Sequence, residues 1–101
     1  MIFQNFRTYQ LAKEFYQNCK EINARYHLKD QLLRASLSVV LNLAEGSAKS
    51  STKDRKRFYR VALGSLRESQ AILDLLNRNH ELKIADSLGA HLYRLCIPKR
   101  N

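Results

Sequence analysis

Apolar residues recur along this chain with the period of an α-helix, in four separate segments. In the first, they follow one another at steps of three and four residues, which builds one apolar stripe along a helix. The members of this stripe are Phe6, Tyr9, Ala12, Tyr16, Cys19 and Ile22. The spacing predicts a first helix over about residues 5–24, with Asn5 as its N-cap.

The second segment, about residues 29–45, is apolar on nearly all sides and carries only a narrow row of polar side chains. The row runs at steps of three or four residues and comprises Gln31, Arg34, Ser38, Asn42 and Glu45. Gly46 follows it and is expected to end the helix at the C′ position. A surface helix of a monomer would show a wide polar face. We therefore expect another subunit to cover part of this helix, including Leu37 or Leu41.

Two further segments complete the helical pattern. Ser51 begins a capping box, with Asp54 three residues later, and the apolar period predicts a third helix over about residues 52–77. The polar stretch NRNHE interrupts the pattern. Apolar residues at heptad-like spacing then predict a fourth helix over about residues 82–96.

Four helices joined by short links favour an all-α fold in one domain, residues 1–101. Glycine occurs three times and proline once, so few residues interrupt the helices and no sheet is expected. Short links make consecutive helices run antiparallel. We predict an up-down-up-down four-helix bundle, with a three-helix core and a loosely docked fourth helix as the alternative.

The register expected for the second and third helices predicts partners for the polar row. It brings Arg34 near Ser65 and Glu68. We expect a shielded Arg34–Glu68 ion pair, because a buried charge is tolerated only when it is paired. The same register places Ala35 opposite Gly64, where two small residues would allow a close approach of the helices.

At the other end of the row, Asn42 is expected near Arg57, and Asn42 and Glu45 either cap local backbone or meet Arg57 or Arg60. We interpret the whole network as structural: Gln31, Arg34, Ser38, Asn42, Glu45, Ser65 and Glu68. A catalytic pair of Glu45 with Glu68 is disfavoured, because the register places the two carboxylates far apart along the bundle.

Positive charge is concentrated between Lys49 and Arg60. The chain of 101 residues has a net charge of +9, and this stretch holds six basic residues against one acid. The candidate phosphate-binding residues are Lys49, Lys53, Arg55, Lys56, Arg57 and Arg60. Cations at a helix start favour the arrival of an anion, and Tyr59 could stack on a base. A solvated patch and an acidic protein partner remain alternatives.

Other chemistry has little support in the sequence. No glutamate is followed by histidine three residues later, as di-iron bundles require, and His27, His80 and His91 lack metal-ligand spacing. Without a phosphate-binding glycine loop or a nucleophile elbow, we expect no enzyme activity, no metal and no cofactor. Cys19 and Cys96 are interpreted as reduced and buried. We expect a cytoplasmic location, because no signal-peptide pattern or membrane-spanning run is found.

Three stretches carry motifs of a known family: FQNFRTYQLAKEF, QLLRASLSVVLNLAEGSA and RFYRVALGSLRES. They resemble the bacterial four-helix-bundle proteins encoded by intervening sequences of 23S ribosomal RNA genes. The resemblance covers about residues 3–76. The motif residues of the family correspond here to Arg34, Ser38, Asn42, Glu45, Gly46, Gly64, Ser65 and Glu68.

This resemblance implies an all-helical bundle that assembles as a ring, commonly a pentamer, with no enzymatic activity. The family is similar to accessory variability proteins of diversity-generating retroelements, which bind nucleic acid and a reverse transcriptase. The chain departs from the family in lacking a proline before its second helix and in its short fourth helix. We expect a homo-oligomeric bundle that binds RNA or DNA phosphates, with a protein-recruiting scaffold without nucleic-acid role as the alternative.

Overall fold

The computed structural model describes residues 6–97 and contains four helices. They are α1 (Arg7–Lys20), α2 (Tyr26–Ser47), α3 (Thr52–Leu75) and α4 (Asn79–Cys96). No strand occurs in this part of the chain. The predicted all-α class and the predicted number of helices are confirmed.

Each helix packs against two of the others. Within residues 6–97, contacts join α1 with α2, α2 with α3, α3 with α4, and α4 with α1, and the contact between α2 and α3 is the most extensive. The molecule measures 44 × 26 × 20 Å. Because α4 packs against both α1 and α3, the alternative of a loosely docked fourth helix is wrong.

The core is built from apolar side chains of all four helices. Phe15 of α1, Leu43 of α2, Leu66 of α3 and Leu92 of α4 are fully buried. Burial of one such side chain contributes about 1.5–3 kcal/mol. Each helix is amphipathic, so none can bury its apolar stripe without the others.

The two cysteines are free thiols. Cys19 is fully buried in the core, and its burial raises the pKa of the thiol to about 12. Cys96 is only half-buried. The predicted burial holds in full for Cys19 alone.

The link between α1 and α2 is longer than predicted, because α1 ends early. This helix ends at Lys20, four residues before its predicted end, while α2 begins three residues before its predicted start. The Lys29 ammonium donates hydrogen bonds to the backbone carbonyls of Lys20, at 2.7 Å, and Ile22. These bonds satisfy carbonyls that the early end of α1 leaves without helical partners.

The starts of α1 and α3 differ in their capping. The Ser51 hydroxyl accepts a hydrogen bond from the Asp54 backbone N–H at 3.1 Å, which confirms the predicted N-cap of α3. Phe6 occupies the N-cap position of α1 and makes no side-chain capping bond. The predicted cap, Asn5, lies outside the described residues.

Gly46 lies within α2 instead of ending it. The helix continues to Ser47, and the φ of Gly46 is not positive. A methyl group on Gly46 would lie 2.7 Å from Cε1 of Tyr59 and 3.1 Å from Cβ of Phe58. The predicted role of Gly46 as a helix stop is therefore wrong. Its physical role is to let α3 approach α2.

A left-handed residue separates α3 from α4. Asn77 has a φ of 57°. Its N–H donates to the Asp74 carbonyl at 3.0 Å, and the Arg78 N–H donates to the Leu73 carbonyl at 2.9 Å. This pair of bonds is a Schellman motif. It ends α3 two residues before the predicted end, and α4 begins three residues earlier than predicted, which gives it 18 residues.

Three members of the predicted polar network are hydrogen-bonded to one another, and one of these bonds joins α2 to α3. The hydroxyl oxygens of Ser38 and Ser65 lie 2.7 Å apart. The Asn42 amide donates to the Ser38 carbonyl at 2.9 Å and to the Ser38 hydroxyl at 3.1 Å. Asn42 thus satisfies local backbone, which was one of its two predicted roles.

The predicted ion pair between Arg34 and Glu68 is wrong. The Arg34 side chain is 75% exposed, and its nearest carboxylate is that of Asp30, at 3.4 Å. Ser65 was predicted to lie near Arg34. In the structure it lies opposite Ser38, one helical turn later in α2. The contact of Gly46 with the Tyr59 ring fixes this register.

The other predicted partners in the network change with the register. A methyl group on Gly64 would meet no atom within 4 Å, so Ala35 is not opposite it. Glu45 pairs with Lys49 at 3.3 Å instead of with Arg57 or Arg60. Gln31 and Glu68 are exposed on the single chain, as is Glu45.

Candidate nucleic-acid interface

The predicted basic residues gather at one end of the molecule, where α2 ends and α3 begins. The ring of Phe6, just before α1, lies 6.0 Å from the ring of Tyr59 on α3. Leu95, near the end of α4, lines the same cleft as Tyr59. We call this region the basic end and define it by Lys49, Lys53, Arg55, Lys56, Arg57, Arg60 and Arg94.

Arg55 holds the loop between α2 and α3 in place. Its guanidinium donates to the carbonyls of Lys49 and Ser50, each at 3.0 Å. It also donates to the Thr52 hydroxyl at 3.0 Å. These bonds satisfy loop carbonyls that helix bonding cannot reach. Arg55 is therefore a structural residue of the loop as well as a source of charge.

Phe58 lies against two of the cations. The Lys49 ammonium is 5.2 Å and the Arg57 guanidinium 4.8 Å from the centre of its ring. Such contacts contribute about 0.5–1 kcal/mol each at exposed sites. Both cations also have carboxylate neighbours, Glu45 at 3.3 Å from Lys49 and Asp54 at 4.0 Å from Arg57. Their charges are thus partly compensated within the protein.

Lys53, Lys56 and Arg60 have no such compensation. Within residues 6–97, no carboxylate forms an ion pair with any of them. Their spacing of three and four residues puts them on one side of α3, and Arg67 continues the same side two turns further on. We call these four residues the basic strip. It begins at the basic end, runs along α3 beyond it, and is the surface best able to attract anions.

The fold brings in one cation that sequence reasoning missed. Arg94, near the end of α4, lines the same cleft as Lys56 of α3. Its side chain contacts the His91 ring, with the two nitrogens 3.3 Å apart. Nothing local in the sequence of α4 marks Arg94 as a site residue, because its position depends on how α4 packs against α3.

Tyr59 does not present an open ring face to solvent. It is only 7% exposed, because Gly46 and Phe6 pack against it. Burial raises the pKa of its hydroxyl, and the positive charge of Arg55 acts in the opposite direction. The predicted stacking of a base on an open Tyr59 ring is therefore wrong, and the ring forms part of a cleft wall.

The positive charge of α3 also reaches the end of α4. Burial raises the pKa of the Cys96 thiol, while the charges of Arg60 and Lys56 act to lower it. A cation stabilises a nearby thiolate as it would any anion. The two helices therefore form one electrostatic surface at the basic end.

The described residues contain no group of three or more His, Cys, Asp or Glu side chains that could hold a metal ion. Within the same residues, every helix is too short or too polar to cross a membrane.

These features define a small, strongly basic, all-α protein with four helices and a cationic end. A family model for the 23S rRNA-intervening sequence proteins matches residues 5–95, and the chain belongs to that family. Comparisons with curated proteins and with solved structures find no match. The resemblance inferred from the sequence motifs is thereby confirmed.

Proposed function

We propose that this protein is a non-enzymatic, homo-oligomeric, antiparallel helical bundle that binds the phosphates of RNA or DNA through its basic end. The observation that carries the proposal is the basic strip, whose cations have no carboxylate partner within residues 6–97. Phosphate contacts of this kind supply most of the affinity of sequence-independent nucleic-acid binding.

The contacts between helices support an up-down-up-down arrangement. Gly46, late in α2, meets Tyr59, early in α3, whereas Ser38 meets Ser65. Gln70 donates to the Asp86 carboxylate at 3.0 Å across α3 and α4. Residue numbers fall along α2 as they rise along α3, which is the pattern of antiparallel neighbours joined by a short link.

The outer face of α2 and α3 supports assembly into an oligomer. Leu41 is 57% and Val61 49% exposed, and Leu37 is exposed as well. They lie within one turn of the Ser38–Ser65 hydrogen bond, beside Gly64, whose Cα has open space around it. We call Leu37, Leu41, Val61 and Gly64 the outer apolar face. A second copy of the chain would remove this surface from water.

A ring of subunits, such as the pentamer that the family resemblance implies, would bring several basic ends together. Each end is a weak site by itself, and linked weak sites bind one long polyanion far more tightly than any single site does. Oligomerisation and phosphate binding are thus two parts of one proposal.

We propose binding and not catalysis, since the side chains gathered at the basic end are lysines and arginines suited to holding phosphates. We place the protein in the cytoplasm, in keeping with its two free cysteines, since thiols stay reduced there. No metal or cofactor enters this proposal.

The test is a salt titration of nucleic-acid binding. Contact of all six predicted cations with phosphates would give a slope of log affinity against log salt of about −5 on duplex DNA, from about −0.9 per phosphate. The triple variant Lys53→Gln/Lys56→Gln/Arg60→Gln should reduce the magnitude of that slope by about 3. Arg55 is left unchanged because it holds the loop.

The matched control is the triple variant Lys13→Gln/Lys20→Gln/Lys83→Gln, which removes the same charge from exposed positions elsewhere. It should bind with nearly the wild-type slope. Equal losses in the two variants would mean that total charge and not the basic strip determines binding. A flat salt response of the wild-type protein would favour the alternative, a scaffold that recruits a protein partner.

A further inference from the structure

A cleft of about 350 Å³ opens at the basic end, between the start of α3 and the end of α4. Its apolar wall is formed by Phe6, Tyr59, Leu95 and Ile97. Ile97 is 40% exposed and Phe6 and Leu95 are partly buried, so these three side chains form the accessible part of the wall, while Tyr59 is only 7% exposed. Two of its four side chains are aromatic.

Three cations line the same cleft: Arg55, Lys56 and Arg94. Arg55 is engaged with the loop carbonyls. Lys56 forms no ion pair with any carboxylate of residues 6–97, and Arg94 contacts the His91 ring. An apolar, partly aromatic wall beside such cations fits a ligand in which a flat ring is joined to an anion.

We propose that this cleft accepts one unpaired base of a single-stranded nucleic acid, while Lys56 and Arg94 contact the flanking phosphates. This inference rests on the proposed phosphate-binding function and adds the type of strand that is bound. In a duplex each base is paired and stacked, and taking it out costs a few kcal/mol. A single strand avoids that cost, so the protein should prefer it.

The surroundings of the cleft favour a nucleic acid over an acidic peptide. The cations continue beyond the cleft along one side of α3, as Lys53, Arg60 and Arg67. A row of cations beside an apolar wall is the usual design of single-strand binding surfaces, in which a charged groove follows the backbone and aromatic side chains contact bases. A carboxylate next to one apolar side chain would occupy the cleft but not the row.

The wall also predicts little preference among the four bases. The Thr52 hydroxyl, which lines the cleft, accepts a hydrogen bond from Arg55. The remaining wall is apolar apart from the Tyr59 hydroxyl. Every base has a π-face, so contact with such a wall tolerates any sequence.

The experiment compares an oligothymidine strand with a strand of equal length whose bases are replaced by abasic residues. Both strands carry the same phosphates, and binding of the full chain is measured by fluorescence anisotropy at low salt. We expect the abasic strand to bind about 5- to 100-fold more weakly, as loss of a stacked base would cause. Equal affinities would overturn the cleft assignment and leave phosphate binding intact. Binding of neither strand would overturn the proposed function.

Two variants locate the effect in the cleft. Ile97→Gln places a polar group in the wall without changing charge, and Phe6→Leu removes one aromatic ring. Each should bring the affinities of the two strands closer together. The control Tyr93→Gln alters an exposed side chain of α4 that does not line the cleft, and it should leave the ratio unchanged.

An acidic peptide with a single phenylalanine serves as the competing ligand. We expect Ile97→Gln to change the ratio of the two strand affinities and to leave any binding of this peptide unchanged. If Ile97→Gln abolishes peptide binding while the ratio for the strands stays at its wild-type value, the cleft belongs to a protein partner and the inference is wrong.

Discussion

At Gly46 the backbone of α2 comes into contact with the side chain of Tyr59. A Cβ there would lie 2.7 Å from Cε1 and 3.0 Å from Cδ1 of that ring. The ring cannot easily retreat, because Phe6 packs against it and the residue is only 7% exposed. Both the register of α2 on α3 and the shape of the cleft wall therefore depend on the lack of a side chain at this position.

We expect Gly46→Ala to destabilise the protein by about 1–3 kcal/mol, the usual cost of overpacking a well-packed site. Urea denaturation followed by circular dichroism measures this change. The matched control is Gly89→Ala in α4, where the new methyl group would lie 3.5 Å from Leu66, an ordinary contact. Alanine is the better helix former, so this control should gain about 0.5–1 kcal/mol.

Equal stability of the Gly46→Ala variant and the wild type would mean that the Tyr59 ring moves aside freely. Tyrosine fluorescence shows whether the Tyr59 ring has moved aside or stayed in place. If the ring is displaced, the fluorescence of the tyrosine residues should change in Gly46→Ala and not in Gly89→Ala.

At the residue scale, the structure joins three of the seven residues that the sequence predicted for the polar network. Ser38, Asn42 and Ser65 are joined as members of one network. The predicted ion pair of Arg34 with Glu68 is not formed. It was predicted from the length of the loop between α2 and α3, and loop length alone does not determine the register of the two helices. The register depends on how deeply the Tyr59 ring enters beside Gly46, and no periodicity encodes that depth.

At the scale of elements, the connection between α3 and α4 combines a backbone motif with an ion pair. The Schellman bonds of Asn77 and Arg78 end α3. The Arg78 guanidinium then donates to both carboxylate oxygens of Glu81, at 2.9 and 3.0 Å. Glu81 is only 7% exposed although it is charged, so this bidentate pair supplies the bonds that a buried carboxylate needs.

The ion pair predicts how stability depends on pH. The hydrogen bonds from Arg78 hold the pKa of the Glu81 carboxyl below its ordinary value. A lowered pKa in the folded state stabilises the protein at pH values above the unfolded pKa, about 4.3, and this contribution is lost as the pH falls through the folded pKa. Glu81→Gln should therefore lose less stability than the wild type between pH 6 and about pH 3.

Urea midpoints measured across this pH range provide the test. Arg78→Gln should also lose less stability on acidification, because it removes the cation that lowers the pKa of Glu81. The double variant should follow Glu81→Gln, since neither protein keeps a carboxyl at this position to titrate. Wild-type and Glu81→Gln curves that stay parallel would exclude the pair as a source of acid sensitivity.

Element boundaries were predictable where the determining chemistry is local. Ser51 caps α3 as predicted, because its hydroxyl and the Asp54 N–H that donates to it lie three residues apart. The end of α1 was missed because it is completed by Lys29, nine residues beyond Lys20 and in another helix. The start of α4 was missed because the left-handed conformation of Asn77 makes a tighter turn than the polar stretch NRNHE suggests.

At the scale of the whole molecule, the outer apolar face adjoins the basic end, because Val61 and Gly64 follow Arg57 and Arg60 by one turn of α3. The basic end collects cations from α3 and, with Arg94, from α4. The outer apolar face is formed by α2 and α3. Sequence reasoning found the cations of α3, which are neighbours in the chain. It missed Arg94 and the cleft because both require the packing of α4 to be known.

Leu41 lies on α2, so assembly can be altered there without removing any cation of the basic end. Leu41 is 57% exposed near the centre of the outer apolar face, and burying one leucine side chain contributes about 1.5–3 kcal/mol. Leu41→Glu would place a carboxylate in the proposed interface, where burial of an unpaired charge is strongly unfavourable. We expect the wild type to sediment as a particle several times heavier than the 11.8 kDa chain, and Leu41→Glu to sediment as a single chain.

The control for this last prediction is Tyr93→Glu, which introduces the same charge at a residue of α4 that is 56% exposed. This variant should assemble like the wild type, because α4 does not contact α2 and lies away from the outer apolar face. Circular dichroism should show equal helix content in all three proteins. A wild-type protein that sediments as a folded 11.8 kDa chain at micromolar concentration would show that α2 and α3 need no second copy. The basic end would then act as a single site, without the gain in affinity that a ring provides.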